Sequence, residues 1–459
     1  MRVVTDTCWE AELNELLREF YPDGTDITVL HRHSDSEPAD IFTVEGKEYP
    51  FFSVFPQTRE NLAKRNAKLG LYDALCAHTG RSLPWGSLTG VRPTKLFYEA
   101  VRLGMDFGSA ARFMTDVYRV SEKKAALLMR IAVAQDGLPS YDPTRDVNLY
   151  VHVPFCNSRC SYCSFVSLDA ARHKKYIRPY VDRLTEEIER GREFLAGKGY
   201  RIYSVYIGGG TPTSVPPEAL EKILTASRSE CEFTCEAGRP DTINDEIADV
   251  MKRCGVNRVC VNPQSLSEKT LREIGRSHTA EDFFRAYKLI KDHGFSINTD
   301  IIAGLPGEGI GEFADTLSGI TRLRPDNVTV HTLALKNGSK IKEKPYAGCD
   351  ETEEMVDLAQ TILTASGYAP YYLYRQKQMQ GNLENVGYAR DGKACVNNVT
   401  TMEDILSVFA CGAGAISKFI DKGGARIRRL ANVRDVGLYI DLFDSRIAKK
   451  EAFFTAEKS

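Results

Sequence analysis

Cys156, Cys160 and Cys163 fall in the stretch His152-Val-Pro-Phe-Cys-Asn-Ser-Arg-Cys-Ser-Tyr-Cys-Ser-Phe165, a C-x3-C-x2-C array. It offers three thiolates directly after a strand-like run. A 4Fe-4S cluster with a purely structural or electron-transfer role is ordinarily held by four cysteines. Three leave one iron open to a small chelating molecule. The same donors also suit a tetrahedral zinc site completed from elsewhere in the chain. Against zinc, no paired C-x2-C or H-x3-H follows at zinc-finger spacing, and the flanking aromatics Tyr150, Phe155, Tyr162 and Phe165 suit a cluster kept from water.

Four further motifs carry polar groups. Ile207-Gly-Gly-Gly-Thr-Pro-Thr213 follows a strand-like run, and its three glycines let the backbone approach a ligand without Cβ interference, beyond what an ordinary turn demands. In Cys235-Glu-Ala-Gly-Arg-Pro-Asp-Thr-Ile243, Glu236 is a carboxylate able to accept hydrogen bonds from ribose hydroxyls. Arg239 suits either bidentate binding of a carboxylate or a surface ion pair. Asn262-Pro-Gln-Ser265 with Ile274-Gly-Arg-Ser-His278, and Asn298-Thr-Asp-Ile-Ile-Ala-Gly-Leu-Pro-Gly-Glu308, contribute Gln264, Arg276 and Asp300 at strand ends. Polar residues closing apolar strands are expected at a site, because burying them unpaired costs several kcal/mol. His278 and His331 are expected to be structural.

The elements that must position these groups alternate strand and helix. Runs rich in Val, Ile and Tyr lie near 147–153, 202–207, 231–236, 257–262, 296–302 and 326–334. Helical patterns separate them; Ile177, Tyr180, Val181, Leu184 and Ile188 recur at 3.6-residue spacing. Six consecutive βα units imply parallel pairing with right-handed crossovers. No G-x-G-x-x-G follows the first strand, so a doubly wound dinucleotide fold is disfavoured. Every motif above falls on a loop after a strand's C-terminal end, as in barrels. Residues 140–340 are therefore expected to form a partial (β/α)6 barrel. Residues 1–139 read as a separate N-terminal α+β domain, with strands at 26–31 and 41–44, a hairpin over 47–55, helices at 59–76 and 122–134, and a linker at 138–143. Residues 341–459 read as a C-terminal α+β region with a helix near 353–366, a Tyr-rich run at 368–374 and a Gly-rich stretch at 411–415.

The chain has 459 residues, 42% of them hydrophobic, ample for two or three cores. A net charge of -2 excludes a global field for nucleic acid or an anionic membrane. The first residues lack the apolar core of a secretory signal, and no apolar run has the length of a membrane span. A cytoplasmic location is expected. The twelve cysteines are then reduced thiols, with Cys8, Cys76, Cys254, Cys349 and Cys411 expected as small buried residues.

Together the motifs resemble the oxygen-independent coproporphyrinogen III oxidase family of radical S-adenosylmethionine (SAM) proteins over 140–420. Trp85-Gly-Ser-Leu-Thr-Gly-Val-Arg-Pro-Thr-Lys95, Glu236 to Ile243, Asn262-Pro-Gln264 and Tyr374 to Tyr388 are similar to its coproporphyrinogen dehydrogenase (HemZ) branch, which extends the likeness to nearly the whole chain. The resemblance implies that Cys156, Cys160 and Cys163 bind the cluster and that Tyr150, Gly209 and Glu236 contact the SAM on its open iron. It implies a second SAM site at Tyr162, Gly210, Thr211, Gln264, Arg276, Asp300 and Thr332. The implied reaction begins with reductive cleavage of SAM and turns two propionates of coproporphyrinogen III into vinyl groups, giving protoporphyrinogen IX. Arg239, Arg375 and Lys377 are the expected partners of the tetrapyrrole's carboxylates, and a flavodoxin or ferredoxin the expected electron donor.

One position departs from the family's pattern. Its best-established oxidases carry a further cysteine two residues after the third ligand, where this chain has Phe165. The related haem-chaperone branch lacks that cysteine too, but Val396-Asn-Asn-Val-Thr-Thr-Met-Glu403 matches only the Asn of that branch's C-terminal pattern. Two alternatives share these residues: a haem-binding trafficking protein, and a radical SAM methyltransferase acting on another tetrapyrrole.

Overall fold

The computed structural model describes residues 1–455 apart from 22–23, 58, 90–91, 166, 337, 344–348, 350, 377–378 and 422–425. The described chain divides into two compact units. One comprises Met1–Val133 with Tyr374–Glu384, the other Ala134–Leu373 with Asn385–Ser459.

The larger unit is built on the six expected strands, Asp146–Val153, Arg201–Gly209, Glu232–Cys235, Arg258–Cys260, Ser296–Ala303 and Asn327–Thr332. They are called the first to sixth barrel strands below. They pair in parallel and in sequence order. The first is buried almost throughout, the signature of a strand covered on both faces. Helices between the strands present apolar stripes to the sheet; Lys174–Gly197 buries Ile177, Tyr180, Val181, Leu184 and Ile188. Local signals start these helices. Asn244 Oδ1 accepts from the Ile247 N–H at 2.9 Å, and Thr279 with Asp282 forms a capping box.

The sheet stays open. Ser407–Cys411 pairs in parallel with the first barrel strand, and Asn385–Ala389 pairs antiparallel with the sixth. Further strands on each side bring the total to eleven. The fold is thus an α/β partial barrel, and the strands of residues 341–459 continue its sheet at both edges. Glu187, in the apolar stripe of its helix, ties in the C-terminal helices. It accepts from Tyr439 Oη at 2.6 Å, the Gly412 N–H at 2.7 Å, Asn432 Nδ2 at 3.1 Å, and Lys450 Nζ.

The smaller unit carries a four-stranded sheet, Arg2–Thr5, Thr28–His33, Asp40–Val44 and Lys47–Phe51, against helices Glu10–Phe20 and Glu60–Thr79. Gly70 lets the second helix approach closely; a Cβ there would lie 2.7 Å from the rings of Phe42 and Phe51. Cys8 is exposed, whereas Cys254 and Cys411 are buried as expected and Cys76 and Cys349 are partly so. Among the described residues no helix is long and apolar enough to cross a membrane.

Candidate functional site

The C-terminal ends of the barrel strands gather the polar residues. Period-two alternation puts Tyr150 and His152 on one face of the first strand, with Tyr150 Oη 3.1 Å from His152 Nδ1 and its ring stacked on Tyr206 of the second strand at 6.2 Å. The chain then turns into the cysteine loop. Cys156 pairs with Asp169 in a two-stranded ribbon. Beyond it, Ser161 N–H donates to the Ile274 carbonyl at 2.9 Å and Ile341 N–H to the Ser161 carbonyl at 2.9 Å. Cys160 is buried, Cys156 and Cys163 partly so. Burial pushes the thiols of Cys156 and Cys163 above the ordinary value, each raised further by the neighbouring cysteines.

The glycine run is fastened to that loop. Gly210 N–H donates to the Val153 carbonyl at 2.8 Å and Thr211 N–H to the Phe155 carbonyl at 2.6 Å, while Thr211 Oγ1 lies 3.5 Å from Cys156 Sγ. Gly209 has φ +114, and a Cβ there would meet the His152 ring at 2.7 Å. A Cβ on Gly210 would lie 2.5 Å from the Phe155 carbonyl oxygen. Both glycines are therefore fixed by the fold.

Glu236 follows the third strand. Burial, reinforced by the Asp300 carboxylate, pushes its carboxyl up to about 8, although the Tyr206 hydroxyl, Arg276 and the Gly209 N–H pull the other way. Asn262 joins the fourth and fifth strands, its Nδ2 donating to Asp300 Oδ2 at 2.9 Å and its Oδ1 accepting from the Asp300 N–H at 3.1 Å. His331 Nε2 of the sixth strand lies 3.6 Å from Asp300 Oδ2. Gln264 adopts φ +68, a left-handed conformation costly for a residue with a side chain. A bridge to Ile301 holds it there, with Gln264 N–H to the Asp300 carbonyl at 3.1 Å and Ile302 N–H to the Gln264 carbonyl at 3.0 Å. Its Oε1 is buried without a hydrogen-bond partner among the described residues. Thr332 is buried and its N–H donates to Asn385 Oδ1 at 2.9 Å.

Arg276 spans the site. Its Nη1 donates to the Gly238 carbonyl at 2.9 Å and its Nη2 to Tyr162 Oη at 3.0 Å, fixing the cysteine-loop tyrosine to the loop after the third strand.

The expected carboxylate-binding cations are placed differently. Arg239 is neither exposed nor at a surface pair: it is buried, grips Asp241 through Nε at 3.1 Å and Nη2 at 3.2 Å, and aims Nη1 at the Ser158 carbonyl (3.3 Å) and Cys160 Sγ (3.6 Å). Its charge is matched by Asp241, and its geometry is that of a brace under the cysteine loop. Arg375 belongs to the smaller unit, where it is buried and donates to the carbonyls of Leu88 (2.7 Å), Asn382 (2.8 Å) and Leu383 (3.3 Å). Its Nη2 also donates to the Asn382 side-chain oxygen, so its contacts here are within the smaller unit. Lys377 lies outside the described residues. Phe165, expected to help exclude water, is exposed, and Lys336 Nζ sits 5.8 Å above its ring.

Asn262 and His152 are site residues that the sequence reading passed over. Asn262 stood inside a quoted motif, and His152 lies two residues from Tyr150 on the same strand face.

The donor chemistry suits an iron–sulfur cluster with SAM. Three free thiols share one loop, the Gln264 amide oxygen is buried without a hydrogen-bond partner among the described residues, and Glu236 holds its proton near neutrality.

The sequence matches the Radical SAM superfamily over residues 150–319. It is 36% identical to the oxygen-independent coproporphyrinogen-III oxidase-like protein HemZ of Bacillus subtilis, covering 81% of this chain and 77% of that one. It is 28% identical to the heme chaperone HemW of Escherichia coli, over 63% of this chain and 74% of the relative. The solved structure of coproporphyrinogen III oxidase (HemN) from Escherichia coli superposes with a TM-score of 0.52 at 23% identity, covering 71% of this chain and 73% of that one, a likeness of fold. The superfamily's cofactors are a 4Fe-4S cluster and SAM. The chain belongs to the coproporphyrinogen oxidase-like family of radical SAM proteins.

Proposed function

We propose that this protein oxidatively decarboxylates two propionate side chains of coproporphyrinogen III to vinyl groups, yielding protoporphyrinogen IX. The observation that carries the reading is the fastening of the three-cysteine loop to the glycine run, through Thr211 N–H on the Phe155 carbonyl and Thr211 Oγ1 beside Cys156 Sγ. In this reading Cys156, Cys160 and Cys163 hold the cluster. Tyr150, Gly209 and Glu236 contact the SAM bound to it. Tyr162, Gly210, Thr211, Gln264, Asp300 and Thr332 line a second SAM site, with Arg276 holding Tyr162 in place. When bound, cluster and SAM together supply a carbon radical that can take hydrogen from a saturated carbon. The chain's own task is to exclude water and hold one propionate β-carbon in reach, since a misplaced substrate would let the radical react elsewhere. Each propionate gives one hydrogen atom to that radical, one electron to an external one-electron acceptor, and releases CO2. Electrons for the cluster come from a flavodoxin- or ferredoxin-type donor, in the cytoplasm.

The relationship to a protein named an oxidase-like HemZ supports the substrate class. The test is anaerobic turnover of the cluster-loaded protein with reductant, SAM and coproporphyrinogen III, measuring porphyrins and 5'-deoxyadenosine together. Vinyl product formed in step with 5'-deoxyadenosine, and lost in Cys160→Ala, is the expected outcome. Phe165 and the HemW relationship favour a second reading, a haem-trafficking protein. Stoichiometric haem binding with no vinyl product would select it.

A further inference from the structure

In the smaller unit, His31 and His33 project from the same face of Thr28–His33, and Asp40 faces His33 across the antiparallel pair with Asp40–Val44. Asp40 Oδ1 lies 2.9 Å from His31 Nε2 and 2.8 Å from His33 Nδ1. The three ligand-capable atoms all fall within 4.8 Å of one another. Asp40 is fully buried, and its Oδ2 has no hydrogen-bond partner. Among the described residues no lysine or arginine reaches it: its only charged-group partners are the two imidazoles. A carboxylate taken wholly out of water requires positive charge beside it.

The surroundings orient the rings for ligation. Thr5 Oγ1 lies 2.7 Å from His31 Nδ1, and Phe42 stacks on the same ring at 4.6 Å. With Thr5 Oγ1 taking the Nδ1 proton, Nε2 presents its lone pair toward Asp40; such an outer partner is what commonly sets the tautomer of a ligating histidine. Trp9 meets the His33 ring edge-on at 5.1 Å. Two imidazoles and one carboxylate form a donor set suited to zinc or iron(II), with positions left for water.

We propose that His31 Nε2, His33 Nδ1 and the Asp40 carboxylate bind a divalent first-row transition-metal ion. The ion neutralises the buried carboxylate, occupies Oδ2 and pins the two central strands of the small sheet. The site is separate from the cysteine loop in ligand type and needs nothing from the reaction proposed above.

The test titrates Zn²⁺ into chelator-treated, full-length protein whose cysteine loop already carries its cluster, anaerobically, by calorimetry and zinc analysis. Arg32→Ala, whose side chain leaves the opposite face of the strand, serves as the control. Wild type and Arg32→Ala are expected to take up one additional zinc that raises the thermal midpoint, and His33→Ala to bind it more than roughly 100-fold more weakly with no shift of midpoint. Should His33→Ala fail to fold, His33→Gln, which keeps a hydrogen-bonding group, takes its place with the same expectation. No zinc uptake by wild type, or equal uptake by the His33 variant, would overturn the site and leave a hydrogen-bonded His–Asp–His cluster.

Discussion

Trp85 donates its indole N–H to Glu384 Oε2 at 2.7 Å, joining residues 299 positions apart in the chain. The other carboxylate oxygen meets Lys124 Nζ at 2.6 Å, and both charged side chains are withdrawn from water. Removing one charged member of such a buried pair costs about 3–5 kcal/mol. Lys124→Met is therefore expected to lower stability by that order in urea unfolding of the full chain. The double variant Lys124→Met/Glu384→Leu is expected to recover much of it. A single variant as stable as wild type would refute the coupling.

Gly210 sits where backbone meets backbone. The Cβ of Gly210→Ala would press on the Phe155 carbonyl, which cannot swing aside as a side chain can. The variant is expected to lose SAM binding and much of its iron while its circular dichroism stays near wild type. Gly311→Ala, with nothing within 4 Å of the added carbon, should bind both normally.

In the proposed reading Glu236 contacts SAM, and the affinity for SAM is then expected to depend on pH. With its carboxyl raised to about 8, the ligand-free protein holds the proton near neutrality. Because the unfolded group titrates near 4.5, folding stability falls as pH rises from 4.5 toward 8. Hydroxyl donors from a ribose favour the ionised form, so binding expels the proton. Affinity should climb with pH, by at most about tenfold per unit, and level off above 8. Equilibrium dialysis across that range checks it; Glu236→Gln should flatten the profile.

The contacts of Arg239 with Asp241, Ser158 and Cys160 lead us to propose that it positions the cysteine loop. Arg239→Gln frees the Ser158 carbonyl and the Cys160 sulfur from their cationic brace and leaves Asp241 unmatched. The expected result is iron content reduced by more than half, on the order of the loss of a second-sphere partner, with a shifted cluster reduction potential. A variant with normal iron and potential but weakened tetrapyrrole binding would restore the substrate role.

His278 is buried, and neither ring nitrogen has a hydrogen-bond partner among the described residues. Burial, with the Arg276 guanidinium nearby, pulls its imidazole down to about 4 from 6.5. The folded state resists protonation, so the stability this residue contributes above pH 6.5 drains away as pH falls toward 4. His278→Phe should weaken that acid dependence in denaturant unfolding at pH 7 and pH 5. An unchanged slope would contradict it.

The barrel was legible because its strands are covered on both faces and read as continuous apolar runs, and because each motif followed one of them. The C-terminal strands gave no such cue. Ser407–Cys411 joins the barrel sheet by pairing with Asp146–Val153, a long-range contact no local pattern announces. Arg2–Thr5 is too short to show alternation, and Glu10–Phe20 starts without a side-chain cap. For Arg239 and Arg375 residue type suggested ligand binding, whereas their partners, Asp241 in one case and three carbonyls in the other, are matters of tertiary placement. Glu187 did leave a trace: a carboxylate between Leu184 and Ile188 on an apolar helix face must find donors inside.

The excursion of Tyr374–Glu384 into the smaller unit sets a timetable for synthesis. Lys124 emerges from the ribosome 260 residues ahead of the carboxylate it needs. At roughly 5–20 residues per second that is a wait of about 13–50 s. The unit whose main part is made first is thus completed only once residue 384 has emerged, and a nascent chain stalled before it lacks the carboxylate that Trp85 and Lys124 both meet in the folded unit.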